Sequence, residues 1–281
     1  MNGKHFLFFS AVIIALFLTS CASSPYYQIY KANPKNSQVK NNNLVYEDEN
    51  CRVSYNLWEQ GGNFGFVFYN KTNTNIYLNL EESFFILNGI AYDYYKNRVF
   101  TSSENSATTS VKSSTFSNSV TGLNYLGLLQ TNNLQSTSGK GLVASSGFST
   151  SYNEEKVICI PSKTSKIITE YKITESLFRD CDLYKYPTKS QIKTKTFSEE
   201  SSPIVFSNRL AYTIEKSENL TRFENEFYIS EISNYPESEI FEQKYDEYCG
   251  KRRVMFRKYF KNVSPDKFYI KYTKGQDTQK H

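Results

Sequence analysis

The sequence predicts a mainly β protein, an antiparallel β-sandwich with one long polar insertion and one or two short helices. Short runs in which apolar and polar residues alternate recur along the chain, the period of strands with one buried face. Clusters of Gly, Asn, Pro and Ser separate these runs, and no regular exchange of strand and long helix points to a parallel sheet. Composition agrees: 23 Tyr and 21 Phe dominate an aromatic share of 16%, and such side chains suit pleated, half-buried surfaces.

The elements follow in order. Val53, Tyr55 and Leu57 alternate with Arg52, Ser54 and Asn56. Gly61-Gly62-Asn63 turns the chain, and Phe64, Phe66 and Phe68 repeat the alternation. Ile76, Leu78 and Leu80 do so after an Asn/Thr-rich turn. Residues 84–87 and 90–94 flank Asn88-Gly89, a pair that suits a type I′ hairpin because both positions need positive φ. Strands resume at 156–160 and in the alternation of Ile167, Thr169, Tyr171 and Ile173, with Pro161-Ser162-Lys163 turning between them. A helical turn is expected near 175–178 and a polar linker over 187–202. Residues 204–206, 210–214 and 227–232 read as strands, and Phe268, Ile270 and Tyr272 as the last one. Between Glu237 and Cys249, Ile240, Phe241, Tyr245 and Tyr248 fall at helical spacing. Acidic residues open that segment and Gly250 closes it, as helix ends prefer. Many short strands with one helix fit an immunoglobulin-like sandwich.

Two stretches break the pattern. Residues 21–43 are polar with Pro25 and Pro34, and read as a tether. Residues 101–153 are rich in Ser, Thr, Asn and Gly, too long for a hairpin connection, and read as a largely mobile insertion. One apolar island at 123–129 interrupts it, with Leu123, Tyr125 and Leu126 as candidate contact residues. The expected organisation is a leader at 1–20, the tether, a sandwich domain over 44–274 carrying the insertion, and a disordered tail at 275–281.

The leader is the most specific signal. Lys4 gives a short positive start, and residues 6–18 are apolar apart from Ser10. That is shorter than the roughly 20 residues a membrane span needs, and it matches the apolar region of a signal peptide. Leu18-Thr19-Ser20-Cys21 follows and resembles the lipobox of bacterial lipoproteins. The resemblance implies cleavage before Cys21, a diacylglyceryl thioether on its sulfur and a further acyl chain, such as palmitate, on the freed amine. Each buried methylene contributes about 0.8 kcal/mol, so two or three chains hold a protein firmly on a membrane. Ala22 rather than Asp follows the cysteine, and no acidic cluster comes next, which favours an outer-membrane anchor facing the periplasm.

Residues 21–34 (CASSPYYQIYKANP), 51–58 (CRVSYNLW) and 157–163 (VICIPSK) resemble a family of uncharacterised lipoproteins from Bacteroides-type bacteria, built of a lipobox and a β-rich domain of unknown function. The family implies a location and carries no activity to transfer.

Four cysteines follow Cys21: Cys51, Cys159, Cys181 and Cys249. An even number in an oxidising compartment predicts two disulfides, with the pairing open. None sits in a C-x-x-C pair, so no zinc site is expected. The formal charge of +5 is mild, and loses one unit with Lys4. It makes no argument for nucleic acid.

Histidine excludes most chemistry. The two in the chain are His5, in the leader, and His281, at the end. The domain therefore lacks the imidazole that Ser-His-Asp and Cys-His catalysis require, and lacks His metal ligands. Ser37/Lys40 and Ser190/Lys193 have S-x-x-K spacing, without the S-D-N and K-T-G partners of penicillin-recognising enzymes. Glu81-Glu82, Glu154-Glu155 and Glu199-Glu200 are paired carboxylates of the kind a glycosidase needs, but neighbours on a strand point to opposite faces, and solvated turns explain them as well. Gly139-Lys140-Gly141 lacks the remaining glycine and hydroxyl of a phosphate loop. No cofactor motif is found.

Two binding features remain. Trp58, with nearby tyrosines, is a candidate sugar-stacking platform or a residue packed at the rim of the core. An acidic stretch over 224–247 precedes a basic, aromatic one over 251–274, which either meets anionic lipid headgroups or is neutralised by its neighbour. The leading expectation is a lipid-anchored, non-catalytic module of the cell envelope that contacts a protein or a glycan. An envelope enzyme using carboxylates or Ser/Lys, and a surface adhesin, are the alternatives.

Overall fold

A computed structural model describes residues 24–106, 146–215 and 219–275. Cys21, the leader, the island with Leu123, Tyr125 and Leu126, and the last six residues lie outside them. The described chain forms a mainly β sandwich of antiparallel sheets.

The larger sheet is built around β1 (Tyr26–Pro34), which lies between β15 (Thr221–Pro236) and β18 (Lys267–Tyr272). On the other side of β15, β14 (Val205–Ile214) pairs with its first half and β13 (Thr194–Thr196) with its second. The far edge of β14 takes β6 (Ile76–Asn79) and β7 (Phe84–Leu87) in succession. β11 (Val157–Ile160) extends β6, and β8 (Ile90–Asp93) extends β7. The smaller sheet is a meander of β2 (Gln38–Lys40), β3 (Asn43–Glu47), β4 (Cys51–Tyr55) and β5 (Phe66–Asn70), closed by β12 (Ser165–Ile168) beside β5. Two separate ribbons complete the fold, β9 (Val99–Ser106) with β10 (Ser146–Asn153), and β16 (Phe241–Tyr248) with β17 (Lys251–Phe260).

The period-two pattern explains which faces meet. Val53 and Tyr55 of β4, and Phe66 and Phe68 of β5, point inward and are buried. They interlock with the other sheet: Tyr55 lies 5.4 Å from Phe227, and Phe68 5.9 Å from Tyr212, both edge to face. Phe64 meets Phe206 in the same way at 4.9 Å. Edge-to-face pairs add about 0.5–1.5 kcal/mol each beyond the area they bury. The core also holds a polar island. Asn225 Nδ2 donates to Tyr55 Oη at 2.7 Å, and Tyr94 Oη donates to Asn208 Oδ1 at 2.5 Å. Asn208 and Asn225 face each other across β14 and β15, and the Asn225 bond ties that pair to β4 of the smaller sheet.

Asn88 and Gly89 both have positive φ, 49° and 82°, as the hairpin between β7 and β8 requires. Other expectations are corrected. Residues 26–40 are no tether: β1 is an interior strand with Tyr27 and Tyr30 buried. From Gln28 to Asn33 burial alternates, with Gln28, Tyr30 and Ala32 inward, but the sequence hides the pattern because an inward position holds the polar Gln28 and outward positions hold the apolar Tyr27 and Ile29. The insertion does not begin as irregular chain, because 99–106 and 146–153 pair over eight residues. The helix expected over 237–249 is confined to one turn, α1 (Glu237–Ile240). Gly250 closes a hairpin there instead, with Cys249 and Gly250 both at positive φ. No helical turn forms at 175–178, and a 3-10 turn lies at Lys189–Gln191. The connectivity is not that of an immunoglobulin domain, in which the first strand pairs with the second; here the first lies beside the last.

Candidate functional site

Where the smaller sheet ends, the inner face of β1, β15 and β18 is roofed by a strap running from Ser176 to Lys185, and a cavity of about 330 Å³ lies between them. That is near the lower end of ligand pockets, roughly 300–1,000 Å³. Gln28 and Asn234 form the floor from opposed positions of β1 and β15. Tyr272, Leu177, Phe178 and Leu183 supply apolar walls, and Arg179, Asp180 and Lys185 supply charge.

Amides hold the strap in place. Gln28 Nε2 donates to Phe178 O and to Asn234 Oδ1, both at 2.9 Å. Its Oε1 accepts from Phe178 N at 2.8 Å and from the Tyr30 hydroxyl. Asn234 Nδ2 donates to Tyr184 O at 3.0 Å, and Tyr272 Oη to Lys185 O at 2.5 Å. Burial pushes the Tyr30 and Tyr272 phenols well above their usual range, so both remain hydrogen-bond donors. Asp180 and Asp182 both accept from Lys195 Nζ, at 2.5 and 3.0 Å. That ammonium, hydrogen-bonded to Asp180, lowers the Asp180 pKa. The arrangement offers hydrogen bonds, an aromatic wall and fixed charge. It offers no protonated carboxyl beside a free base.

The cysteines are unpaired in the structure, against the expected two disulfides. Cys51 faces the core from β4, while Cys159 faces outward from β11 of the other sheet. Cys181 lies in the pocket strap and Cys249 at the turn between β16 and β17. Burial, with Asp48 beside it, pushes the Cys51 thiol far up, which leaves it inert as a nucleophile.

Other sequence candidates also find structural partners. Trp58 is half-buried and packs edge-on against Phe260 at 5.2 Å and beside Tyr269 at 5.4 Å, so it serves the rim of the core. Glu81 pairs with Lys156, Glu82 with Arg222, and Glu199 with Lys35. Glu154 is almost enclosed rather than solvated. Its Oε1 accepts from Arg98 Nε at 2.9 Å, and its Oε2 from Lys96 N and Arg98 N at 2.8 and 3.1 Å. Ser37 is buried while Lys40 is exposed, and Ser190 bonds Thr188 while Lys193 lies over the Tyr184 ring. Neither S-x-x-K pair meets. The acidic and basic stretches do neutralise each other in part: Arg257 pairs with Asp246 and Lys258 with Glu237, each at 3.0 Å.

Sequence reading missed the pocket. Its floor residue Gln28 lies in what reads as a tether, and amides carry no motif. The chain matches no protein-family model, no curated protein and no solved structure.

Proposed function

We propose that this chain is a lipid-anchored lipoprotein of the bacterial cell envelope, held by acyl chains on Cys21, whose sandwich is a non-catalytic interaction module with its contact site at the Gln28–Asn234 pocket. The observation that carries the non-catalytic reading is the state of the acids. The acid of the pocket, Asp180, is held by Lys195, and each paired-carboxylate candidate places at least one of its two acids on a lysine or arginine. Proton transfer needs a carboxyl or base whose pKa lies near working pH, whereas the contacts of Asp180 and Glu154 lower their carboxyl pKa values and favour the ionised form. An apolar wall, the Tyr272 ring and the charged Arg179 and Lys185 in the lining instead suit recognition of a polar ligand with carbon faces, such as a glycan or a peptide segment, on a strap that the Gln28 and Asn234 amides hold in place.

The Cys21→Ala chain should lose fatty-acid labelling in cells and leave the membrane fraction or remain uncleaved; retained label and full membrane partition would overturn the anchor. For the module, a photo-crosslinking residue at Arg179, on the exposed strap, should give a discrete envelope adduct. Gln28→Leu should abolish that adduct. An adduct untouched by Gln28→Leu would remove the pocket from the reading.

A further inference from the structure

The β16–β17 ribbon leaves the sandwich with an unusual surface. Its root is packed: Phe241 and Phe260 lie 4.3 Å apart, and both rings lean on Tyr27, at 5.4 and 5.9 Å. Beyond the root the ribbon is mostly exposed, with Tyr248 beside the Cys249-Gly250 turn and Val254 and Met255 about midway along β17. Val254 is 95% exposed, Met255 79% and Tyr248 70%. They occupy both faces, since Val254 shares a face with Phe256, and Met255 the other with Tyr259 (period two). Residues 241–260 carry six Lys/Arg against three Asp/Glu. Glu242 is tied to Lys244 and Asp246 to Arg257, while the exposed Lys251 and Arg252 stand next to the turn.

The path of the chain points to the occupant. Tyr26, at the start of β1, is paired with both Pro236 and Tyr272. Glu237 N donates to Pro25 O at 3.2 Å, and α1 leads from there into the ribbon. The N-terminus and the ribbon therefore leave the same end of the larger sheet. Cys21 is four residues from Pro25, at most about 14 Å of extended chain.

We propose that the ribbon is a second membrane contact, in which Lys and Arg beside the turn meet anionic lipid headgroups while Val254, Met255 and Tyr248 enter the interface of the bilayer that holds Cys21. The proposal rests on the lipid-anchor reading for which membrane is met. Apolar residues on both faces of the ribbon's outer half fit a bilayer, which surrounds an inserted segment, better than a protein groove, which covers one face. Ammonium and guanidinium groups on flexible stems reach headgroups while the ribbon is immersed, and an anionic surface attracts them.

The test uses the chain begun at Ala22, which keeps every described residue and has neither leader nor lipid. It should co-sediment with vesicles of phosphatidylglycerol and phosphatidylcholine, and bind at least about tenfold less to phosphatidylcholine alone. Val254→Asp with Met255→Asp should reduce binding at least about tenfold with an unchanged melting curve, because both side chains lie clear of the sandwich. Lys251→Glu with Arg252→Glu should do so on anionic vesicles only. Binding unchanged by the ribbon substitutions, or no binding at all, overturns the proposal. Self-association in light scattering that Val254→Asp abolishes, without vesicle binding, makes the occupant a second copy and overturns it too. Failure of the anchor is read separately, from the acyl label on Cys21 in cells.

Discussion

The two ribbons are held at their roots by different physics. An isolated two-stranded ribbon is marginal in water, so each borrows order from the sandwich. At the root of β9–β10, Arg98 Nη1 donates to Glu170 at 2.7 Å while its Nε donates to Glu154, and Lys96 Nζ also reaches Glu170 at 2.8 Å. Glu154 N closes the clamp on Arg98 O at 2.8 Å. At the root of β16–β17, Phe241, Phe260, Tyr27, Trp58 and Tyr269 form one aromatic cluster, with Phe260 4.8 Å from Tyr269. Directional charge holds one ribbon, and non-directional burial holds the other. The polar ribbon needs a directional clamp because its Ser/Thr-rich strands bring little apolar area to the root. The β16–β17 ribbon supplies its own packing residues at each end, Phe241 and Phe260.

The comparison is broken most strongly at the aromatic root. Phe260→Ala removes a half-buried ring from four aromatic neighbours, at a cost of about 2 kcal/mol. Amide exchange should speed up across 242–259 and stay unchanged in 99–106 and 146–153. Equal loss of protection in both ribbons would show that their roots are coupled.

The converse substitution is Arg98→Met, which keeps an apolar stem and removes the guanidinium. Glu154, only 7% exposed, would then stay nearly enclosed without its cation. Breaking a buried pair costs more than an exposed one, but Arg98 itself is 30% exposed, so solvent screening lowers the expected loss to about 1–2 kcal/mol. Exchange should rise in β9 and β10 alone. Protection kept there would mean that the Phe100–Tyr152 stack, at 5.3 Å, holds the ribbon without the clamp.

The legible part of this fold was the half-exposed part. β4, β5 and β7–β8 show alternation or a turn pair in sequence because one face meets water. β1 was not legible, since its inner face includes Gln28 and its outer face is covered by Phe241 and Phe260, contacts made by residues over 200 positions away. β16 reads as helix because Ile240, Phe241, Tyr245 and Tyr248 fall at helical spacing over so short a stretch, and Gly250 suits a helix end as well as a hairpin turn. Cross-strand partners decided between them, and sequence spacing does not display those. The pocket escaped for a related reason, because Gln28 and Asn234 become a site only through β1–β15 pairing. Glu154 was legible as a carboxylate, and its clamp was not, since Arg98 and Glu170 lie on segments the sequence does not join.

The smallest expected effect separates the roots by pH, and the two should fail at opposite ends of the scale. At Glu154, burial raises the carboxyl pKa, but the Arg98 side chain and the amides of Arg98 and Lys96 outweigh it, and the net pKa is lowered. A depressed folded pKa contributes stability that is complete above the unfolded value, about 4.3. It is lost as pH falls through the folded value. The β9–β10 root should therefore loosen only in acid, below about pH 4. At Tyr27, burial first, then Glu237 and Tyr269, push the phenol up to about 12, and burial raises Tyr269 as well. A raised folded pKa contributes stability that is complete below the unfolded value, about 10, and is lost as pH rises through the folded one. The β16–β17 root should therefore weaken only in alkali, above about pH 10. Because intrinsic amide exchange is too fast in alkali, the readout is limited proteolysis at pH 3, 7 and 11 with proteases active at each. Cleavage should appear in 99–106 and 146–153 at pH 3 and in 242–259 at pH 11. Glu154→Gln should make the first insensitive to acid, and Tyr27→Phe should reduce the second's sensitivity to alkali. Both ribbons opening together at one pH would mean that the whole sandwich, rather than either root, is the unit that titrates.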